Sequence, residues 1–322
     1  MENKNVLKGL LFVGLGASFY GMLATFVRVA YNNGYTTAEV TTAQFTIGIL
    51  GLFLLTSYQS KKSSQPRIKP TKKERLQLIT AGTSFGGTSL FYYLSVQYID
   101  VSIAIVMLMQ SIWISVVLEA ILEKKIPSKE KVIATLIVLF GSVLATNSFQ
   151  SDISIDIRGV FWGILAACSY TTTMFTSNRI ATHLPPIQKS LIMLLGGSVL
   201  IFLFLIFSQI GPLHSSFFES IYFSFTDNAD GIKPFDFSIF YTYGLFLAIF
   251  GTILPPIFLN KGFPLAGLGL GSIVSSIELP VSVTFAYIVL GEQTFLVQWL
   301  GILLILAAIV LMNWRKLKQP RS

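Results

Sequence analysis

LAGLGLGSIVSSIELPVSVTFAYIVLGE, residues 265–292, carries a single charged side chain, Glu278, before Glu292 closes it. About 20 mostly apolar residues cross a hydrocarbon core of about 30 Å as a helix, so Leu265–Leu290 reads as a transmembrane span. A carboxylate near its centre costs roughly 2.5–3.5 kcal/mol on insertion scales and is expected to face a cavity or a partner. Gly271, Ser275, Glu278 and Ser282 follow i, i+4, i+7 and i+11, which puts them on one face of a continuous helix. Glu278 therefore lines a pathway, binding an amine or carrying a coupling proton, or it bonds hydroxyls and the backbone freed by Pro280 and only fixes packing.

The whole chain reads as that stretch does. It has 322 residues, 53% hydrophobic and 12% charged, with a mean hydropathy of +0.69. A soluble domain has about 25% charged residues, so an ordinary soluble enzyme is excluded, and 27 Phe and 12 Tyr exclude disorder. One Cys and two His leave no disulfide framework, metal cluster or cofactor site to expect. The absence of a Walker-type phosphate loop argues against ATP-driven pumping. Asp152 and Asp156, and the run Asp227–Gly231, do not follow the alternating ligand pattern of a calcium loop and read as solvated loops.

Ten spans result: Lys8–Val29, Ala38–Tyr58, Arg75–Tyr98, Val101–Ile121, Lys131–Asn147, Gly159–Asn178, Gln188–Ser208, Phe240–Asn260, Leu265–Leu290 and Phe295–Trp314. The first runs past the length of a signal-peptide core and reads as a retained helix. With the N-terminus inside, every Lys and Arg except Arg28, Arg158 and Lys233 lies on the cytoplasmic side. This is the positive-inside pattern. It accounts for the net charge of +8 without nucleic acid and puts both termini in the cytoplasm of an inner (plasma) membrane protein. The partners to expect are the bilayer and a small-molecule substrate; the oligomeric state is left open.

The halves echo each other. Lys8, Gly9, Leu15, Ala17 and Tyr20 align with Arg158, Gly159, Leu165, Ala167 and Tyr170. Leu122-Glu123 precedes a helix with Ala134 and Gly141, as Leu290-Gly291-Glu292 precedes one with Gly301 and Ala308. Two five-helix units, 1–150 and 151–322, follow. Five is odd, so the second enters from the opposite side. The expected fold class is an all-α membrane protein with ten transmembrane helices in two inverted five-helix repeats.

These halves, the Leu290-Gly291-Glu292 turn and the run Glu278-Leu279-Pro280 resemble the EamA-domain branch of the drug/metabolite transporter superfamily. That family usually has Glu and Pro adjacent, whereas Leu279 intervenes here. The resemblance implies a transporter, not an enzyme, that exports or passes small amphipathic metabolites, amino acids included, by alternating access. A non-transporting scaffold or receptor is the alternative; it would bury Glu278 in a dry contact. One intramembrane carboxylate permits proton coupling, and a passive uniporter needs none.

Further candidates are weaker. Tyr20 and Tyr170 occupy matching positions and read as cavity walls. Gln44, Gln110 and Trp113 are polar or aromatic groups in apolar helices, and each amide needs a partner in lipid. The stripe Thr80, Ser84, Gly87, Phe91 and Ser95, with Tyr92 beside it, and the set Tyr170, Thr171, Thr173, Ser177 and Asn178 line either a pathway or a helix contact. Pro255-Pro256 interrupts the eighth span as a hinge or a static bend; Pro280 belongs with them. Arg28 and Arg179 read as snorkelling toward the interface.

Overall fold

The computed structural model describes residues 2–62, 69–99, 101–145, 156–225, 233–291 and 295–318. Among these the secondary structure is helical, without a strand. The first half contains α1 (Glu2–Asn32), α2 (Thr37–Lys62), α3 (Lys72–Tyr98), α4 (Val101–Met109), α5 (Ser111–Glu123) and α6 (Lys129–Ala145). The second begins with α7 (Ile157–Arg179) and α8 (Pro186–Leu205), which runs through a π segment into α9 (Gly211–His214) and α10 (Ser216–Phe225). It continues with α11 (Ile239–Thr242), α12 (Gly244–Ala248), a second π segment, α13 (Leu254–Ala266), α14 (Leu268–Ser275), α15 (Glu278–Leu290) and α16 (Leu296–Lys318).

Local chemistry sets several boundaries. Thr71 and Glu74 form a capping box at the start of α3, the Thr71 hydroxyl accepting from the Glu74 amide and the Glu74 carboxylate from the Thr71 amide. Those bonds hold the Glu74 carboxyl below its ordinary range. Asp156 caps α7 by accepting from the Arg158 amide at 2.8 Å, and the Arg158 side chain and amide lower its pKa likewise. Gly267, at φ 83°, ends α13 in a conformation that suits glycine alone.

Six stretches are long and apolar enough to cross a membrane: Asn5–Asn32, Thr37–Lys62, Ile103–Glu123, Pro186–His214, Gly244–Ala266 and Leu268–Leu290. The remaining expected spans, in α3, α6, α7 and α16, fall short of that length or apolarity among the described residues. The polarity of α3 and α7 has a packing reason. They lie along each other, with the Ser84 hydroxyl 2.9 Å from that of Thr173 and the Ser95 hydroxyl donating to the Gly159 carbonyl at 2.7 Å. The α3 stripe from Ser84 to Ser95 is therefore a contact with α7, whereas of the α7 set only Thr173 meets α3 and Tyr170 faces a cavity.

The molecule is apolar outside and holds polar side chains within its apolar interior. Phe53, Leu54, Leu136, Phe140 and Leu303 are exposed, while Thr41, Gln44, Ser115, Thr176, Ser177 and Ser272 are buried. Water would not tolerate such an exterior over so many helices, and lipid requires it. Inside, α3 packs on α7 and α8, α1 on α13 and α15, α2 on α8 and α12, α5 on α14, and α6 on α16. Backbones come very close where glycines meet: a Cβ on Gly197 would sit 2.8 Å from the Gly86 amide nitrogen.

Three expectations need correction. The fourth span is not one helix: at Gln110 the backbone amide turns to the Met107 carbonyl at 3.1 Å, and the Gln110 side chain takes the Val106 carbonyl at 3.0 Å. The ninth breaks at Ser276–Ile277. Pro280 has no N–H to give the Ser276 carbonyl, which accepts instead from the Leu279 amide at 3.2 Å. The eighth is irregular where Pro255 and Pro256 act: they have no amides for the Gly251 and Thr252 carbonyls, which lie in the π segment Ile249–Ile253. The expected external loop Gln209–Ile239 contains α9 and α10. Asp152, Asp227–Gly231, Glu292 and the junction at residues 150 and 151 lie outside the described residues.

Candidate functional site

A cavity opens between α1, α3, α4, α7 and α15, with an empty volume of about 710 Å³ including solvent at its mouth. The helix α1 contributes Tyr20, Gly21 and Ala24; α3 brings Phe85, Thr88, Ser89, Tyr92 and Tyr93; α4 adds Ile105 and Leu108. Tyr170 enters from α7, and Glu278 and Ser282 from the first turns of α15. Glu278 is the one charged side chain in this lining.

The break in the ninth span places that carboxylate. Because the chain turns at Ser276–Ile277, Glu278 begins a new helix, and its side chain meets the Tyr170 hydroxyl, which donates to Oε2 at 3.4 Å. Gly21 is needed here. A Cβ on it would collide with the Glu278 carbonyl and lie 3.0 Å from the Val281 Cβ, so α1 reaches the first turn of α15 only without a side chain. The Tyr20 and Tyr170 rings pack edge to face at 6.2 Å, and Tyr92 and Tyr93 lie 5.9 Å apart. A carboxylate among tyrosine rings can bind a cationic or hydrogen-bonding group of a solute of modest size.

Of the residues singled out from the sequence, Glu278, Tyr20, Tyr92 and Tyr170 converge on this cavity. Gly271 and Ser275 sit behind the lining: Gly271 packs against the Phe263 ring, and the Ser275 side chain, which bonds the Tyr170 hydroxyl, donates to the Ser272 carbonyl at 2.8 Å. Gln44 is buried one layer out, accepting from the Tyr93 hydroxyl at 3.5 Å. Gln110 accepts from the Trp113 indole at 2.9 Å, and Trp113 is exposed on the outer surface. Pro255, Pro256 and Pro280 are buried in opening helical turns and do not line the space.

Other buried groups escaped the sequence reading. Lys189, at the cytoplasmic start of the seventh span, is 1% exposed in the first turn of α8, and its Nζ donates to the Thr176 and Ser177 carbonyls at 2.9 Å each. Beside it, the Asn178 side chain donates to the Phe263 carbonyl at 2.6 Å. Glu119 pairs with Lys131 and lies against Gly267 and Gly269 at the start of α14. Glu39 accepts from Gln209 Nε2 at 2.9 Å and from the Asp236 amide at 2.7 Å. Arg179 pairs with Glu123 at 3.1 Å on the surface. The signal for Lys189 is a lone basic residue just inside an apolar run after Pro185-Pro186. Tyr93 and Phe85 carry no such signal, because aromatic residues fill lipid-facing helices equally well. Among the described residues no cluster of three His, Cys, Asp or Glu is placed to hold a metal.

The apolar exterior and the membrane-length helices define a multi-pass membrane protein, and its open cavity holds one carboxylate. The chain belongs to the EamA-like transporter family, whose model matches residues 7–147 and 157–314. One relative, the uncharacterized inner membrane transporter YicL of Salmonella typhimurium, is 26% identical over 322 residues, covering 98% of each chain. A protein crystal structure shares the fold with a TM-score of 0.68 at 13% identity, over 99% of this chain and 100% of that one. The protein is a membrane transporter.

Proposed function

We propose that the protein is a secondary carrier of ten transmembrane helices, built as inverted repeats 1–150 and 151–322, that exports small amphipathic metabolites such as amino acids by alternating access. The inner (plasma) membrane, with both termini cytoplasmic, is the proposed location, and the named relative and the Lys/Arg distribution support it. The helix pairings support the repeat. Exchanging α1 with α7, α2 with α8, α3 with α11–α13, α4–α5 with α14–α15 and α6 with α16 maps the contact α3–α7 onto α13–α1, α3–α8 onto α12–α2, and α4–α7 onto α14–α1. The contacts α2–α8 and α6–α16 map onto themselves, and α5–α7 maps onto α15–α1. Tyr20 and Tyr170, equivalent in sequence, touch each other.

The observation that carries the carrier reading is Glu278 facing an open cavity between the halves, where a scaffold would bury it in a dry contact. In this reading Glu278 binds the solute's amine or carries a coupling proton, and Tyr20, Tyr92 and Tyr170 wall the site. Pro255, Pro256 and Pro280 mark where helices flex. Gln44, Gln110, Trp113, Gly271 and Ser275 act behind the wall.

Uptake of labelled amino acids and amphipathic metabolites into proteoliposomes, with and without a pH gradient, tests this. At least one solute crosses faster than in empty vesicles, and Glu278→Gln slows it about 10- to 100-fold, the worth of a hydrogen bond to a charged group. No solute crossing above the empty-vesicle rate overturns the carrier reading. A variant that transports normally at every pH overturns the role of Glu278.

A further inference from the structure

We propose that a second solute chamber lies closed on the cytoplasmic side of Glu278, formed by Ser111, Ser115, Thr171, Met174, Ser272 and Ser275, and that it opens when the carrier turns inward. The inference rests on the carrier reading and assigns the residues of its inward-facing site. Two observations carry it, a residue-level match between the halves and an orphaned hydroxyl.

The fourth and ninth spans break alike. Val101 and Leu268 open α4 and α14, Ser111 and Glu278 open α5 and α15, and Glu123 and Leu290 close them. One and the same interval along the chain separates the members of each pair, so Ser111 is the counterpart of Glu278. Packing repeats the match. Gly21, one residue past Tyr20, lies against the Glu278 carbonyl, and Thr171, one past Tyr170, donates to the Ser111 carbonyl at 3.2 Å. In this register the cavity lining has an image in the other half: Gly21, Ala24, Ile105, Leu108, Glu278 and Ser282 map onto Thr171, Met174, Ser272, Ser275, Ser111 and Ser115. The first set lines an open space, and the second is buried, none of its members more than 3% exposed. In a carrier of inverted repeats the halves exchange conformations, so the set buried in one state lines the space in the next. With the proposed orientation, the image lies between Glu278 and the cytoplasm.

Five of the six buried residues carry hydroxyls. Thr171 spends its hydroxyl on the Ser111 carbonyl, Ser115 on the Met174 sulfur at 3.6 Å, Ser272 on the Gly269 carbonyl at 2.9 Å and Ser275 on the Ser272 carbonyl at 2.8 Å. The Ser111 hydroxyl is buried without a hydrogen-bond partner among the described residues. Such a group costs stability where it stands, and a hydroxyl that meets solute in the inward state accounts for its position. The set carries no charge, so it takes the uncharged hydrogen-bonding groups of a solute. Further along α5, Glu119 pairs with Lys131 and lies against Gly267 and Gly269, closing the chamber toward the cytoplasm. By the same register its counterpart on α15 is Ala286, which has no charge to close the outer side.

Ser115→Cys and Thr171→Cys, each in a Cys168→Ser background, are treated with a membrane-impermeant maleimide in inside-out and in right-side-out vesicles. Both react from the cytoplasmic face and neither from outside. Glu119→Ala speeds those reactions severalfold and slows outside labelling of Ala24→Cys, because it shifts the population inward. Leu52→Cys, as deeply buried in the cluster between α2, α3 and α8, stays unreactive, which separates opening from unfolding. Ser111→Ala removes the orphaned hydroxyl and raises the melting temperature, yet it lowers uptake from the labelled amino-acid and metabolite panel about 2- to 10-fold, the worth of one neutral hydrogen bond. Unchanged uptake, or cysteines that stay unreactive from the cytoplasmic face of a protein that transports, overturns the chamber and leaves the carrier reading standing. Reaction from outside overturns it as well. No uptake by the wild type overturns the carrier reading beneath it.

Discussion

At Glu278, a cavity and a helix start coincide because of residues on two other helices, Gly21 and Tyr170. Gly21→Val drives side-chain atoms into the Glu278 carbonyl and forces α1 from α15. Overpacking of this kind costs about 1–3 kcal/mol, read as a lower melting temperature in detergent, and an unchanged melting curve would contradict the close approach. Tyr170→Phe keeps the ring against Tyr20 but removes the donor to Glu278. It lowers solute affinity severalfold with the fold intact, measured by calorimetry, and unchanged affinity would show that the hydroxyl plays no part. Much of this site was legible in the sequence. A lone acid in a span and a tyrosine repeated at equivalent positions are rare enough to be signals. Of the face expected through Gly271, Ser275, Glu278 and Ser282, Glu278 and Ser282 line the cavity and Ser275 meets it through Tyr170, although the helix breaks after Ser276, where Pro280 has no amide to give.

The helix ends carry the buried ionic chemistry. Lys189 closes the C-terminal end of α7 from α8, donating to the Thr176 and Ser177 carbonyls. Lys189→Met keeps the volume and strands both acceptors, at about 1–3 kcal/mol each. Faster hydrogen exchange confined to the end of α7 and start of α8 is expected; exchange equal to wild type would contradict the capping role. At the other end of α7, Asp156 is exposed to solvent and its carboxyl is held below its ordinary pKa by Arg158. A depressed folded-state pKa gives stabilisation that is present above the ordinary value and lost as pH falls through the depressed one. Protection of the Arg158 amide therefore drops on acidification below the usual carboxylate range. Asp156→Ala removes that dependence, and a pH-dependent amide in this variant would contradict the assignment. Element positions were readable because lipid demands long apolar runs. The π segments and the break at Gln110 were not, since an amide that satisfies its own helix leaves the hydropathy pattern unchanged.

Across the whole molecule, the cavity extends from Glu278 toward Ala24, Tyr93, Leu108 and Ser282. In the proposed orientation that is the half away from the basic loops. At the opposite end the halves meet through the Arg179–Glu123 pair and through Glu119 against Gly267 and Gly269. The proposed carrier is therefore open outward, and export requires those contacts between the halves to release. The proposed inversion rests on charge and on the weak echo between halves; the contacts between the halves were not legible, since the fold alone brings Glu123 to Arg179 and Glu119 to Gly267. The most direct test uses Ala24→Cys in a Cys168→Ser background, treated from outside with a membrane-impermeant maleimide in right-side-out vesicles. The account predicts rapid modification, slowed by a transported solute, with loss of transport once the site is labelled. Modification only after solubilisation, or labelling that leaves transport intact, would contradict it.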